Sequence, residues 1–136
     1  MRRFETTVQV RSYELDILGH VNNAVYLNWL EQARLAALEE LGLGVEALID
    51  REWLSNVVRI EIDYRRPARF GDRLRLLTWV ERLGRTSLSL GHRILREGEG
   101  EDAAPTADAR VVVVWLDAGG RPTPIPREVR ERLEAC

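Results

Sequence analysis

The stretch that decides the fold runs Tyr13-Glu14-Leu15-Asp16-Ile17-Leu18-Gly19-His20-Val21-Asn22-Asn23-Ala24-Val25-Tyr26-Leu27-Asn28-Trp29-Leu30. Its first part is turn-rich, with Gly19 and two consecutive asparagines. From Asn23 the pattern changes to helical. Tyr26, Leu30, Ala33, Ala37 and Leu41 fall within a narrow arc at 3.6 residues per turn, with Asn28, Glu31, Gln32 and Glu39 opposite. Gly42 and Gly44 then supply a stop. The periodicity predicts one long helix of about 18–20 residues.

Outward from that helix the chain reads as strands. Before it, Phe4–Tyr13 places Val8, Val10 and Ser12 on one parity. After it, Arg59–Arg65 alternates Ile60, Ile62 and Tyr64 against Arg59, Glu61 and Asp63. Arg73–Val80 puts Leu74, Leu76 and Val80 on one face. Ser87–Leu95 does the same with Leu88, Leu90, His92 and Ile94. Gly98–Thr106 is a polar hairpin-type loop, and the valine-rich Ala109–Leu116 reads as a strand buried on both faces. Residues 127–134 form a short charged helix with few apolar anchors, expected to be peripheral. One strand, one long helix and about four further strands give an α+β layer with an antiparallel sheet. A single helix covers one face of such a sheet, so the other face invites a partner subunit.

The 136 residues fit one domain, residues 1–136, large enough to bury a real core. Hydrophobic residues make up 45% and charged residues 31%, an ordinary globular balance. The sole cysteine, Cys136, rules out a disulfide scaffold and a thiolate metal site. Two distant histidines without clustered carboxylates make a poor metal site, so no metal is expected. The net charge of -2 argues against nucleic-acid binding. All 20 basic residues are arginine, which excludes Schiff-base chemistry and the P-loop lysine but suits local phosphate recognition. No apolar run approaches the ~20 residues of a membrane helix, and Met1-Arg2-Arg3-Phe4-Glu5 is not a secretory signal, so the expected location is cytoplasmic.

The turn before the helix has two readings. In the structural one, Asn22 is the N-cap, Asn23 belongs to the first turn and Asp16 complements the positive helix end. In the functional one, free N–H groups at the helix start polarise a carbonyl, and the Asp16 carboxylate attacks it or activates water. Thioester hydrolysis needs these two features and no cofactor.

The run VRSYELDILGHVNNAVYLNWLEQAR, residues 10–34, decides between them. It resembles the signature of the hot-dog-fold acyl-CoA thioesterases, the 4-hydroxybenzoyl-CoA thioesterase-like superfamily, and most closely its long-chain acyl-CoA branch. That branch has L-D, three residues, then H-V-N-N and Y-L, followed by E-x-A-R. IEIDYRRPARFGD further on resembles the family's second strand and its exit. The likeness spans about residues 4–133. It implies a hot-dog fold, a long helix wrapped by an antiparallel sheet, with sheets paired edge to edge in a homodimer or homotetramer and acyl-CoA in clefts at the interface. It implies a hydrolase of lipid metabolism that converts a fatty acyl-CoA to free acid and CoA. Asp16 matches the catalytic aspartate, and Asn23 the position whose backbone N–H holds the thioester oxygen. Some relatives carry a histidine there, and asparagine lacks its acid–base capacity. The turn before the fourth strand approaches the nucleotide in the family, which makes Arg85, Thr86 and Ser87 the expected CoA contacts.

Other residues divide between roles. His20 suits a proton shuttle, although a histidine in such a turn commonly hydrogen-bonds to backbone. His92, on the apolar parity of its strand, is expected as a satisfied core histidine. Tyr26, with Leu27 and Leu30, lines the acyl cleft or packs in the core. Arg34 falls near the apolar arc, where it pairs with Glu31, snorkels or is buried at a subunit contact. Arg65, Arg66 and Arg69 around Pro67 are expected at a solvated surface, and Ser87 and Ser89 lack the setting of a serine nucleophile. Three alternatives stand beside the fatty acyl-CoA thioesterase: a non-hydrolytic acyl-CoA binding module, a thioesterase for an aromatic acyl-CoA, and an enoyl-CoA hydratase using Asp16 with His20.

Overall fold

The structure is a computed structural model that describes residues 2–136. Five strands form one antiparallel sheet: β1 (Phe4–Gln9), β2 (Leu54–Tyr64), β3 (Arg73–Leu83), β4 (Ser87–Arg96) and β5 (Ala107–Leu116). The spatial order is β1-β3-β4-β5-β2. Tight turns join β3 to β4, and a longer polar loop joins β4 to β5, as the glycine and acidic punctuation predicts. The two strands that precede these hairpins go to opposite edges. Three helices follow the order α1 (Val25–Glu40), α2 (Val45–Asp50) and α3 (Arg127–Glu134).

The helix-facing side of the sheet is where the apolar parities meet. Leu74 and Leu76 of β3, Leu88, Leu90 and Ile94 of β4, and Val111, Val113 and Trp115 of β5 are buried there. The long helix contributes Tyr26, Trp29, Leu30, Ala33 and Ala37. Four of these belong to the arc read from the sequence, and Trp29 extends it. Removing such side chains from water is the main term that drives a fold of this kind.

Several expectations change at the boundaries. β1 stops at Gln9, because Val10 turns inward and its amide donates to the Asp72 carbonyl at 2.9 Å, and Ser12–Glu14 form a single 3-10 turn. The long helix has 16 residues rather than about 18–20, since a tight turn at Asn22–Val25 precedes it. A six-residue helix, α2, fills the link after Gly44, and β2 begins at Leu54, five residues before the clean alternation. A bulge between Val57 and Arg59 breaks the period there, which hides the strand's first half from a period-2 reading. β5 is buried on one face only: Val111, Val113 and Trp115 point inward, while Val112 and Val114 are half-buried and Arg110 is exposed. No helix covers the outer face of the single chain. The C-terminal helix is anchored rather than loose, because Val129 and Leu133, one turn apart, enter the core and Arg132 Nη1 donates to the Leu41 carbonyl at 2.8 Å.

His92 is a core histidine, 2% exposed, but only half satisfied. Its Nδ1 is hydrogen-bonded to Thr78 Oγ1 at 3.0 Å, while Nε2 has no partner among the described residues. Burial first, and the nearby Arg34 charge second, lower its pKa from 6.5 to about 3. The unfolded chain therefore takes up this proton as pH falls below 6.5, whereas the folded chain resists until about 3. Stability falls as pH drops through that window, by on the order of a few kcal/mol from this group. The His92→Gln variant is expected to show a flatter dependence of urea-unfolding free energy on pH across the same window.

Candidate active site

The site is built on a small closed turn. Asp16 N–H donates to the His20 carbonyl at 2.7 Å, and Gly19 N–H to the Asp16 carbonyl at 3.1 Å. Gly19 has φ +79, in the left-handed region that glycine enters without strain. The Asp16 side chain locks this turn from within: Oδ1 accepts from the Leu18 amide at 2.8 Å and from the His20 amide at 3.1 Å. Its other oxygen, Oδ2, accepts nothing and joins no ion pair among the described residues. A half-buried carboxylate is thus fixed by one oxygen and left available through the other.

Two further ties set this turn against the helix. Glu14 accepts from Trp29 Nε1 at 3.2 Å and from the Arg11 amide at 2.7 Å, while its carbonyl takes the Asn22 amide at 2.9 Å. The chain then enters α1 through Asn22, whose Oδ1 accepts the Ala24 amide at 2.9 Å and whose carbonyl accepts the Val25 amide at 2.9 Å. Asn22 is therefore not the N-cap the sequence suggests: that position is Ala24, which has no side-chain cap, and Asn22 closes a local turn just ahead of it. The amide between these ties, that of Asn23, donates to no group among the described residues.

Asp16, His20, Asn23 and Tyr26 line one cleft of about 230 Å³, together with Val21, Tyr64, Arg65, Arg66 and Pro67. Four predicted residues thus come together in one cleft. Tyr26 is buried and packs edge-on against both Trp29 and Tyr64, with ring centroids 5.1 Å apart in each pair. The Tyr64 hydroxyl donates to the Asn23 carbonyl at 2.9 Å. Burial raises the pKa of both phenols, opposed at Tyr26 by a hydrogen bond to the Ala68 backbone, so both stay neutral. His20 also lines the cleft, and its backbone bridges to Arg69.

Two groups were legible only in part. Tyr64 and Glu14 position Asn23 and the turn, yet in the sequence they look like an ordinary strand end and an ordinary acidic turn residue. Arg65 is engaged by Asp108 at 3.1 Å and Arg66 by Glu99, so both are tied rather than freely solvated. Glu31 and Arg34 form no ion pair within 4.0 Å.

Arg85, Thr86 and Ser87 do not reach this cleft within one chain. Tyr64, Ala107 and Ile94 form one row across the sheet, whereas Ser87 sits in the row of Val114 and Asn56. Seven residues of β4 separate Ser87 from Ile94, roughly 23 Å along the strand. The Arg85–Ser87 turn instead lies at the opposite end of the sheet, held by Trp115 N–H donating to the Thr86 carbonyl at 2.9 Å.

A Thioesterase-like superfamily model matches residues 10–133 of the chain. The long-chain acyl-CoA thioesterase FadM of Escherichia coli is 36% identical over 131 residues, covering 96% of both chains. A 1,4-dihydroxy-2-naphthoyl-CoA hydrolase of Synechococcus elongatus is 28% identical over 128 residues, 92% of this chain and 90% of that protein. Among solved structures, a Thermus thermophilus thioesterase complexed with coenzyme A and Zn superposes with a TM-score of 0.80 at 38% identity, covering 96% of this chain and 91% of that one.

The turn at Asn22 tests how the cleft is held. Asn22→Ala removes the acceptor for the Ala24 amide and is expected to cost about 1 kcal/mol in urea unfolding. The closed Asp16 turn, the open Asn23 amide and these matches agree: the chain belongs to the Thioesterase-like superfamily and has the hot-dog fold of its members.

Proposed function

We propose that the chain is an acyl-CoA thioesterase that hydrolyses a fatty acyl thioester to free acid and CoA. The observation that carries this reading is one cleft lined both by Asp16, whose Oδ2 is uncommitted, and by Asn23, whose amide donates to no group among the described residues. A thioester carbonyl seated between them has its oxygen on the Asn23 amide, where the helix N-terminus also favours developing negative charge. Asp16 then takes a proton from water as that water attacks the carbonyl carbon, or attacks the carbon itself to form an anhydride that water opens. In either route the carbon–sulfur bond breaks and CoA leaves as the thiolate. The imidazole of His20, which lines the same cleft, is a secondary proton carrier. Asn23 contributes through its backbone alone.

Acyl-CoA enters this reading through the relatives. FadM is named for long-chain acyl-CoA and matches over nearly its whole length, which favours a fatty acyl group. The dihydroxynaphthoyl-CoA hydrolase is the observation behind a second reading, an aromatic acyl group in the same cleft.

A second copy of the chain completes the site in this account. β2 is an edge strand with Leu54 (48% exposed), Val57 (42%) and Val58 (58%) facing solvent. An edge whose first half exposes these apolar side chains is able to pair with another strand, beside the charged Arg59, Glu61 and Asp63 of its second half. Under twofold symmetry an edge pairs with itself antiparallel, so the Leu54 end meets the partner's Tyr64 end. The Arg85–Ser87 turn shares the Leu54 end and is carried toward the partner's Asp16 cleft. Arg85 makes no ion pair among the described residues and is exposed, so its fork is available to a phosphate of CoA.

Two experiments test this. Asp16→Asn is expected to lower kcat for acyl-CoA by at least ~100-fold with little change in KM, as loss of a general base does; undiminished hydrolysis removes Asp16 from the mechanism. Val58→Arg at the middle of the bare edge is expected to give a monomer in sedimentation and to lose hydrolysis with it.

A further inference from the structure

The turn that carries Asp16 has an apolar tip. Ile17 is 100% exposed, Leu18 is exposed beside it, and Tyr13 and Phe70 expose their rings on the neighbouring segments. Asp16 and Gly19 close the backbone of this turn, so nothing local requires large apolar side chains at the two positions between them. An apolar cluster open to water is costly in a single chain and marks a contact surface.

A groove of about 690 Å³ lies at the other end of β2. Six of the seven residues that line it are apolar, Val45, Leu48, Ile49, Trp53, Leu54 and Ala118, and the seventh is Glu52. Ile49 is 68% exposed. Leu54, the first residue of β2, lines this groove, and Tyr64, the last, lines the Asp16 cleft. The 11-residue strand holds its two ends roughly 33 Å apart, too far for tip and groove to meet within one chain. Charge divides the same way. Arg11 and Arg69 are exposed beside the turn and join no ion pair among the described residues. The segment that walls the groove carries Glu46, Asp50 and Glu52, also exposed and in no ion pair, while its one arginine, Arg51, is engaged by Glu128 and the Trp53 ring. Arg85 and Arg121, on the turns at that end of the sheet, lie outside the groove lining. Two apolar patches with opposite unpaired charge, at opposite ends of one edge strand, are self-complementary under a twofold axis, where each meets the other twice.

We propose that the Asp16 turn docks, through Ile17 and Leu18, in the α2 groove of a second copy of the chain, with Arg11 and Arg69 facing the acidic residues of that groove's wall. This rests on the edge-paired dimer of the proposed function and deepens it by naming the surface that anchors the turn. Docking takes Ile17 and Leu18 out of water. It also adds a tie between copies to a turn whose own ties lie within one chain, so the carboxylate is held more firmly in the dimer than in the single chain.

The test mixes and oxidises two single-cysteine chains, Leu18→Cys and Ile49→Cys, each in a Cys136→Ser background. A disulfide-linked dimer on a non-reducing gel is expected from the mixture, and none from either chain alone or from Leu18→Cys mixed with Gln9→Cys, which sits on the far edge strand β1. Sedimentation equilibrium is expected to show the dimer Kd raised by at least ~10-fold in Ile49→Asp and in Leu18→Asp, since each puts a charge where an apolar side chain docks. Both positions are exposed in the single chain; circular-dichroism melting checks that each variant is folded, and Val45→Asp replaces one that is not. The amides of Leu18 and His20, the donors to Asp16 Oδ1, are expected to exchange with solvent at least ~10-fold faster in Ile49→Asp than in the natural chain. A dimer that gives no crosslink, an unchanged Kd or unchanged exchange each overturns the docking and leaves the edge-paired dimer standing. A natural chain that stays monomeric overturns both. None of these readouts involves acyl-CoA, so a docked turn in a chain without hydrolysis supports the proposal while overturning the thioesterase reading.

Discussion

The Asp16 carboxylate uses one oxygen to hold its own turn and leaves the other free. Much of the site depends on that division. Without the two amides of Leu18 and His20 on Oδ1, the side chain would have no fixed direction in the cleft that Asn23 also lines. The same economy appears at Asn22. Its side chain and carbonyl take the amides of Ala24 and Val25, which leaves the Asn23 amide open between them. Glu14 binds the two halves together through Trp29. Local hydrogen bonds thus shape the turn, and longer ties from Tyr64 to the Asn23 carbonyl and from Val21 to the Ala68 carbonyl fix it against the sheet.

The sheet imposes the second constraint. One long helix packs on one face, and the order β1-β3-β4-β5-β2 puts at an edge β2, where exposed Leu54, Val57 and Val58 precede the charged Arg59, Glu61 and Asp63. The Asp16 cleft lies at one end of that edge strand and the Arg85–Ser87 turn at the other. The exposed Leu54, Val57 and Val58 thus belong to the same edge strand whose last residue, Tyr64, lines the Asp16 cleft.

Much of this was legible in the sequence because strong local patterns carry it. The helical arc of Tyr26, Leu30, Ala33 and Ala37 and the alternations around Leu74–Val80 and Leu88–Ile94 each follow from a single period, and burial follows the period. The turn Asp16–His20 was legible because the hydrogen bonds within it span at most four residues, whereas the ties of Asn23 to Tyr64 and of Val21 to Ala68 were not. What escaped has physical causes too. The bulge at Val57/Arg59 disguised the start of β2. α2 is too short to show a period. Val129 and Leu133 are only two anchors in a charged segment, yet one turn apart they suffice to dock α3. Strand order and the unpaired Arg34 are tertiary facts, set by which elements meet, and no local spacing encodes them.

The most direct measurement is a crystal structure of the chain with an acyl-CoA ketone analogue in which a methylene replaces the thioester sulfur. The account predicts the carbonyl oxygen at hydrogen-bond distance, ~2.7–3.1 Å, from the Asn23 amide nitrogen, with Asp16 Oδ2 facing the carbonyl carbon directly or through one water. A carbonyl seated away from Asn23, or an Asp16 carboxylate turned from it, contradicts the account.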